Sequence, residues 1–403
     1  MASERPLTFL CLASYEKGAA FMRACHAEGV RVLFLTVEKL REIDWPWESI
    51  AETFYMPDLF EREDVIHGVS YLARAEKIDR IVPLDEFDLE MASTLREHLR
   101  VPGMGETTVR YFRDKLAMRF KAREAGILVP DFAPVINYDD LRTFMANVPA
   151  PWILKPRSEA SAIGIRKIAE PEQLWRTLDE LGDRQSYFLI ERFVPGDVYH
   201  VDALIADRAV QFAEAHRYAS TPFEIMHGGG LFATRTLDRG GEESARVKEL
   251  NRQLVDALGL VRGAVHTEFI RGREDGEFYF LETAARVGGA NITDLVEAST
   301  GVNLWAEWAK LEIADARGER YTPPEHRTDY AGVLLSLAKQ EWPDLSGYDD
   351  PEVVRHIVKK NHAGLIVRAD SPERVEELLG AYSARFYEDF YTSMPPPPTA
   401  ASA

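Results

Sequence analysis

Hydrophobic and polar positions in the first hundred residues follow two alternating patterns. Short apolar runs typical of buried strands lie at residues 7–14, 30–36 and 79–85. Helical periodicity predicts helices over residues 17–28, 64–77 and 88–99. Strands that alternate with helices favour a parallel sheet covered by helices, so we expect an α/β domain over residues 1–105. The turn at residues 14–18 lacks the GxGxxG pattern of a dinucleotide site.

The pattern changes after residue 105. A helical pattern runs from Glu106 to Ala125 and ends at Gly126, with Pro130 behind it. Short strands are predicted at residues 152–157, 164–168, 187–194, 199–207, 208–216, 264–270 and 277–283. Further helices are predicted at residues 141–148, 171–181 and 243–258. We expect one large domain over 106–325, a small α/β piece over 326–394, and a disordered or extended proline-rich tail over 395–403.

Composition narrows the function classes. Apolar residues make up 46% of the chain and charged residues 28%, as in a globular protein. The net charge of -18 makes nucleic acid an unfavourable partner. The first apolar run, residues 7–13, is too short to span a bilayer and lacks a signal-peptide cleavage region, so we expect a cytoplasmic protein without a membrane partner. Cys11 and Cys25 form no disulfide or metal pattern.

Two glutamates in a predicted hairpin are the most informative feature. With a turn centred near Asp275, Glu268 lies directly opposite Glu282. In this register one face carries Val265, Thr267, Phe269, Leu281 and Thr283, and the other carries His266, Glu268, Ile270, Phe280 and Glu282. Like charges directly across a ladder repel, and a divalent cation removes the repulsion. The pattern therefore predicts a Mg²⁺–nucleotide site. The alternatives are a register shifted by one residue, or two solvated glutamates on an exposed face.

Several motifs, taken in order, resemble one family. Arg113-Asp-Lys115 is followed by the segment 125–130, and Lys155 lies in the strand 152–156. The segment 190–197 follows, and the segment 282–289 begins at Glu282 and contains Arg286. Together these motifs resemble the ATP-grasp superfamily. The resemblance implies an ATP-grasp fold with a Rossmann-like N-terminal domain, a lid lobe at about residues 130–195 and a small C-terminal α/β piece.

The resemblance also implies roles for individual residues. Lys115 and Lys155 would bind the ATP phosphates, and the loop 158–164, with the hydroxyls of Ser158 and Ser161, would act as a phosphate lid. The hinge would hold adenine through Glu191, Arg192, Phe193, Val194 and Asp197. Surface lysines, a hairpin turn and an edge strand are the alternative explanations.

Arg286 is the expected catalytic residue, because a guanidinium stabilises a transferring phosphoryl group. A structural salt bridge is its alternative role. The sequence departs from the family at Ala284, where many members have an Asn that helps to bind the metals. His266 lies opposite Ala284 in the predicted register, and we expect it to orient the metal ligands or to contact substrate. His227 and Arg235 are expected on the acceptor side.

We therefore predict an ADP-forming carboxylate–amine ligase that uses ATP with Mg²⁺, or with Mn²⁺ in its place. Its partners would be a small-molecule carboxylate and an amine, joined through an acyl phosphate into an amide or peptide bond. A homodimer is the default assembly. Two alternatives stay open: a carboxylase-type enzyme that activates bicarbonate, and a non-catalytic nucleotide-binding regulator.

Overall fold

Three β-sheets and the helices that cover them make up the structure, a computed structural model that describes residues 5–160 and 162–394. The strands are β1 (Thr8–Ala13), β2 (Arg31–Val37), β3 (Glu52–Met56), β4 (Arg80–Pro83), β5 (Phe132–Pro134), β6 (Trp152–Pro156), β7 (Arg166–Ile168), β8 (Phe188–Arg192), β9 (Gly196–Ala206), β10 (Ala209–Tyr218), β11 (Phe232–Thr236), β12 (Gly263–Gly272), β13 (Phe278–Ala284), β14 (Tyr330–Leu337), β15 (Val353–Lys359) and β16 (His362–Ala369). The helices are α1 (Ala19–Ala27), α2 (Arg62–Leu72), α3 (Leu89–Leu99), α4 (Glu106–Val109), α5 (Lys115–Glu124), α6 (Tyr138–Asn147), α7 (Pro171–Leu181), α8 (Pro222–Gly228), α9 (Glu242–Leu258), α10 (Ile292–Thr300), α11 (Leu304–Arg317) and α12 (Pro372–Asp389). The expected tail, residues 395–403, lies outside the described residues.

The first sheet has the strand order β3-β2-β1-β4, and all its pairs are parallel. The parallel α/β arrangement expected from the alternating pattern is therefore confirmed. Strand β3 was not predicted, because its sequence ETFYM has one exposed and four half-buried residues and lacks the continuous apolar run of β1. The carboxyl ends of β1 and β4 lie side by side, since Leu12 pairs with Pro83.

The second sheet has the order β5-β8-β6-β7, and its strands are antiparallel. Helices α6 and α7 cover one face, where Leu141, Trp152 and Leu174 are buried in one apolar cluster. The sheet lies within residues 132–192, inside the range expected for the lid lobe.

The third sheet has eight strands in the order β13-β12-β9-β10-β11-β14-β16-β15. One face of β9 and β12 packs against α9, through residues such as Val201, Phe269 and Leu254. The strands of the C-terminal piece belong to the same sheet, because β14 pairs with β11. The domain boundaries remain a prediction, since a continuous sheet joins residues 196–369.

The helix predicted from Glu106 to Ala125 is wrong in its middle. A short helix, α4, and a 3-10 turn end before Asp114, and α5 begins anew at Lys115. The Asp114 carboxylate caps α5 by accepting the N–H groups of Leu116 and Ala117 at 2.9 and 3.4 Å. The interruption places the Lys115 side chain at the first turn of a helix, beside the segment that follows β6. Among the described helices, none is both long and apolar enough to cross a membrane.

Candidate functional site

Glu268 and Glu282 are directly opposite each other on β12 and β13, so the predicted register is confirmed at the carboxylate pair. The predicted faces are wrong beyond it. The register shifts between Glu268 and Phe269, and Phe269 pairs with Phe280. Phe280 therefore packs with Phe269 in the core against α9, and Leu281 joins a different apolar cluster. An irregularity of one residue reverses the faces beyond it, which strict alternation could not foresee.

Glu268 is held by two donors. The Tyr218 hydroxyl donates to Oε1 at 2.9 Å, and the His266 Nε2 lies 3.5 Å from the same oxygen. Burial opposes ionisation of Glu268, but the contacts with His266 and Tyr218 outweigh it and lower the pKa of the carboxyl. Glu268 is thus an ionised carboxylate in a largely buried position, and its side chain is 14% exposed.

Lys115 pairs with the second glutamate of the site. Its Nζ lies 2.9 Å from Glu282 Oε2 and donates to the Glu159 carbonyl at 2.5 Å. Arg113 donates to the Ser158 carbonyl at 2.6 Å. Arg113 and Lys115, at the start of α5, therefore both hold the beginning of the loop 158–164. Lys115 therefore lies beside the two opposed glutamates, and its role towards phosphate remains a prediction.

Lys155 lies in a buried cluster with Glu191 and Arg119, and only Lys155 and Glu191 were predicted as site residues. Its Nζ contacts Glu191 Oε1 at 2.5 Å, and Arg119 Nη2 lies 3.0 Å from Glu191 Oε2. Burial, followed by the nearby Arg119 charge, lowers the pKa of Lys155 to about 8. Burial would raise the pKa of Glu191, but Arg119 and Lys155 reverse that effect and lower it. Two cations therefore share one carboxylate.

Arg119 was missed by the sequence analysis. It lies one helical turn after Lys115 and is fully buried, although its helix is polar overall. The only available signal was the spacing of four residues, which places both side chains on one face of α5. Glu191 was expected as an adenine or ribose contact, and the structure instead places it between Arg119 and Lys155.

Arg286 connects the site with the first sheet. Its Nη2 and Nε contact Glu86 Oε2 at 2.8 and 2.9 Å, and both side chains are largely buried. Burial alone would raise the pKa of Glu86, but Arg286 and then other cations lower it to about 2. Beside Arg286 the backbone approaches β9 closely. A Cβ added at Gly288 would lie 2.7 Å from Asp202 Oδ1, so a side chain is excluded there.

The acidic end of β4 was also missed. Asp88 accepts from the Ser14 hydroxyl at 2.5 Å, and Asp85 pairs with Lys17. Together with Glu86, these residues lie just beyond the adjacent carboxyl ends of β1 and β4, where open α/β sheets bind ligands. The run DEFD after a buried strand was the signal that could have indicated them.

The hinge residues lie where β8 ends and β9 begins. Val194 belongs to an apolar cluster with Val198, Ile270 and Tyr279, as expected of a surface for a flat ring. The backbone N–H of Arg192 donates to the Asp131 carbonyl at 2.7 Å and is therefore already engaged. The ring of Phe193 lies under the Lys167 ammonium, at 3.9 Å, and Asp197 pairs with Arg217 at 2.8 Å.

The remaining predicted site residues are Ser161, His227 and Arg235. Ser161 lies outside the described residues. His227, on α8, approaches the lid segment through Nε2, which lies 2.8 Å from the Ile165 carbonyl. Arg235 pairs with Glu376 of α12 at 3.0 Å, on the face of β11 opposite Thr234. The expectation that Arg235 lines the acceptor side is therefore not supported by its position.

The residues fit a magnesium–nucleotide complex. Two opposed carboxylates provide the hard oxygen donors that Mg²⁺ prefers, and they face one another across a single pair of strands. Lys115, Lys155 and Arg286 are each paired with a carboxylate that phosphate oxygens could replace as partner.

Comparison with known proteins agrees with this geometry. Residues 148–294 match the ATP-grasp domain family. The chain contains an ATP-grasp domain. The L-arginine-specific L-amino acid ligase of Bacillus subtilis is 25% identical over 289 residues, which cover 68% of this chain and 69% of that protein. The alanine–anticapsin ligase of Bacillus subtilis is 26% identical over 268 residues, 60% of this chain and 55% of that protein, so the match spans about half of that relative.

The chain over nearly its whole length also has structural counterparts. The crystal structure of L-amino acid ligase from Bacillus licheniformis superimposes with a TM-score of 0.75 at 18% sequence identity, covering 97% of this chain and 100% of that one. At this identity the likeness establishes the fold alone. The predicted ATP-grasp fold is thus confirmed, and both relatives named above are ligases.

Proposed function

We propose that the chain is an ADP-forming ligase that activates a carboxylate with ATP and transfers the acyl group to an amine. The observation that carries the proposal is the opposed pair Glu268 and Glu282, with Lys115, Lys155 and Arg286 arranged around it. The match to the ATP-grasp family and the two ligase relatives support the same activity.

The proposed reaction has two steps. An oxygen of the substrate carboxylate attacks the γ-phosphorus, the bond from that phosphorus to the bridging oxygen breaks, and ADP leaves. The amine nitrogen then attacks the acyl carbon, the bond between carbon and phosphate oxygen breaks, and phosphate leaves while the amine proton passes to solvent. Bound Mg²⁺ would neutralise phosphate charge during the first step.

The residues of this chain contribute position and charge. Glu268 and Glu282 would hold the cation, with Mn²⁺ as an alternative to Mg²⁺. Lys115 and Lys155 would bind phosphate oxygens, and Val194 would pack against adenine. Arg286 would stabilise the equatorial oxygens of the transferring phosphoryl group, because it is permanently charged and already lies within the site. In the same nucleotide complex, Asp197 and the backbone of Val194 would make polar contacts with the adenine or the ribose.

An amino-acid carboxylate is the substrate class that we propose for the first step. The relatives named as amino-acid ligases support it. We further propose a cytoplasmic location. We also propose a homodimer, and light scattering of the purified chain tests this assembly.

A substrate panel tests the proposed function. The purified chain would be mixed with Mg²⁺–ATP and pairs drawn from the twenty amino acids, with ADP release and dipeptide formation measured together. We expect at least one pair to release ADP and to form its amide in equal amounts. ATP binding without product from any pair would instead support the regulatory alternative.

A further inference from the structure

A hydrogen-bonded chain of buried side chains lies next to the carboxylate pair, on β9 and β12. Asp202 and His200 are fully buried, and His266 is 7% exposed. Asp202 is directly opposite His266, and His200 is directly opposite Glu268, in the pairing of the two strands. All four side chains alternate onto the same face of the sheet.

Asp202 is the centre of this chain. Its Oδ1 lies 2.9 Å from His266 Nδ1, and its Oδ2 lies 2.7 Å from His200 Nδ1. The second nitrogen of His200 lies 2.8 Å from the Thr234 hydroxyl. Each carboxylate oxygen thus has an imidazole partner, and the hydrogen bonds satisfy the group without an ion. A buried carboxylate with two such partners has a fixed orientation.

His266 in turn orients the carboxylate of Glu268. Its Nε2 is 3.5 Å from Glu268 Oε1, the oxygen that also accepts from Tyr218 at 2.9 Å. Because both donors contact Oε1, they fix the position of that oxygen and leave Oε2 as the oxygen that would bind a cation. Ala284, the residue opposite His266 on β13, has no polar side-chain atom that could orient Glu268.

We propose that Asp202 is a positioning residue for the nucleotide-bound cation. It fixes the imidazole of His266, and His266 fixes the carboxylate of Glu268. The inference rests on the proposed function, since it assumes that Glu268 is a metal ligand. Replacing a group that orients a metal ligand typically lowers metal affinity by about 10- to 100-fold. The close approach of Gly288 to Asp202 Oδ1 means that the same carboxylate also abuts the loop that carries Arg286.

The test measures metal binding and not turnover. Mn²⁺ would be titrated into the full chain with saturating ADP, and free Mn²⁺ would be followed by electron paramagnetic resonance. We expect Asp202→Asn to weaken Mn²⁺ binding by about 10- to 100-fold, as for other residues that orient metal ligands. His266→Gln should weaken it to a similar degree, and the double variant no further, because both residues act through one contact.

A matched control separates positioning from stability. Thr267 lies on β12 between His266 and Glu268, is fully buried, and shares a hydrogen bond of 2.8 Å with Thr283 on the opposite face. Thr267→Val should lower stability and leave Mn²⁺ affinity unchanged. If Asp202→Asn does not fold, Asp202→Ser, which removes the carboxylate without adding volume, takes its place.

Two outcomes overturn the proposal in distinguishable ways. If the wild-type chain binds Mn²⁺–ADP and Asp202→Asn binds it equally well, or if the two single effects add in the double variant, Asp202 does not act through His266. If the wild-type chain itself binds no Mn²⁺ in the presence of ADP, the proposed function fails together with this inference.

Discussion

Arg286 and Glu86 form a largely buried ion pair at 2.8 Å between the loop after β13 and the end of β4, although 200 residues separate them in sequence. The pair brings the proposed catalytic guanidinium to the carboxyl end of β4 in the first sheet. A permanently charged group in this position is oriented before substrate binds, which lowers the cost of organising the transition state. The N-terminal sheet therefore takes part in the site.

Replacing Arg286 with Met should leave ATP binding intact and lower kcat by about 10²- to 10³-fold, as for the loss of one transition-state donor. Steady-state kinetics with the best substrate pair checks this expectation. Arg271→Met is the matched control, because Arg271 lies at the far end of β12 and pairs with Glu243 at 2.5 Å. An equal loss in both variants would assign Arg286 a structural role only.

Replacing Glu282 with Gln should abolish metal-dependent turnover while the fold is retained. The side chain is 33% exposed, so the substitution leaves little unsatisfied polar surface in the interior, but it removes one of two anionic metal ligands. Circular dichroism and ADP release, measured over a series of Mg²⁺ concentrations, check both parts. Glu274→Gln, in the exposed turn of the same hairpin, should behave as wild type. Full activity in Glu282→Gln would contradict the metal assignment.

Arg119 is expected to matter for both stability and ATP affinity. Arg119→Met leaves the buried Glu191 carboxylate with Lys155 as its remaining cation, so it should destabilise the chain by less than the roughly 3–5 kcal/mol that an unpaired buried charge costs. Lys155 would then be held more tightly by Glu191, so the KM for ATP should rise. Urea unfolding and ATP titrations measure the two effects. Arg119→Lys, which keeps the charge, should recover most of the ATP affinity, and a Met variant with unaltered ATP affinity would refute this role.

Asp88 should make stability depend on pH. Burial, followed by the neighbouring Asp85 charge, raises the pKa of Asp88 from 3.8 to about 7. Between these values the folded chain keeps a proton that the unfolded chain has released, so its stabilising effect is lost as pH rises through about 7. The loss is at most about 1.4 kcal/mol per pH unit for one proton.

The isosteric variant Asp88→Asn isolates this effect. It keeps an acceptor for the Ser14 hydroxyl but has no proton to lose. The free energy of unfolding, measured by urea titration from pH 5 to 8, should fall more steeply in wild type than in Asp88→Asn. Parallel curves would show that Asp88 does not titrate in this interval.

The sequence predicted the parts of the fold that depend on local pattern. The parallel α/β start, the helix at Pro171–Leu181 and the opposition of Glu268 and Glu282 follow from periodicity and turn chemistry, and the structure confirms them. The faces of β13 could not be predicted, because the extra residue between Phe280 and Glu282, which shifts the register, is invisible to alternation. The ATP-grasp resemblance, predicted from motif order, agrees with the match of residues 148–294 to the ATP-grasp domain family, and the similar proteins named above are ligases.

The candidate site was predictable only where a residue lay in a motif. Arg119, Glu86 and Asp202 were missed because their partners are distant along the chain, and no local pattern marks a partner 64 or 200 residues away. Arg235 was expected on the acceptor side, and the structure places it on a regular strand, β11, where it pairs with Glu376 of α12.

Transfer of a labelled oxygen tests the central claim most directly. A carboxylate substrate that supports ADP release would be prepared with ¹⁸O in both carboxyl oxygens and turned over with its amine and Mg²⁺–ATP, and the released phosphate analysed by ³¹P nuclear magnetic resonance. Activation as an acyl phosphate predicts one ¹⁸O atom in each phosphate, because the attacking carboxylate oxygen leaves with the phosphoryl group. Phosphate without label, formed alongside amide product, would contradict the account.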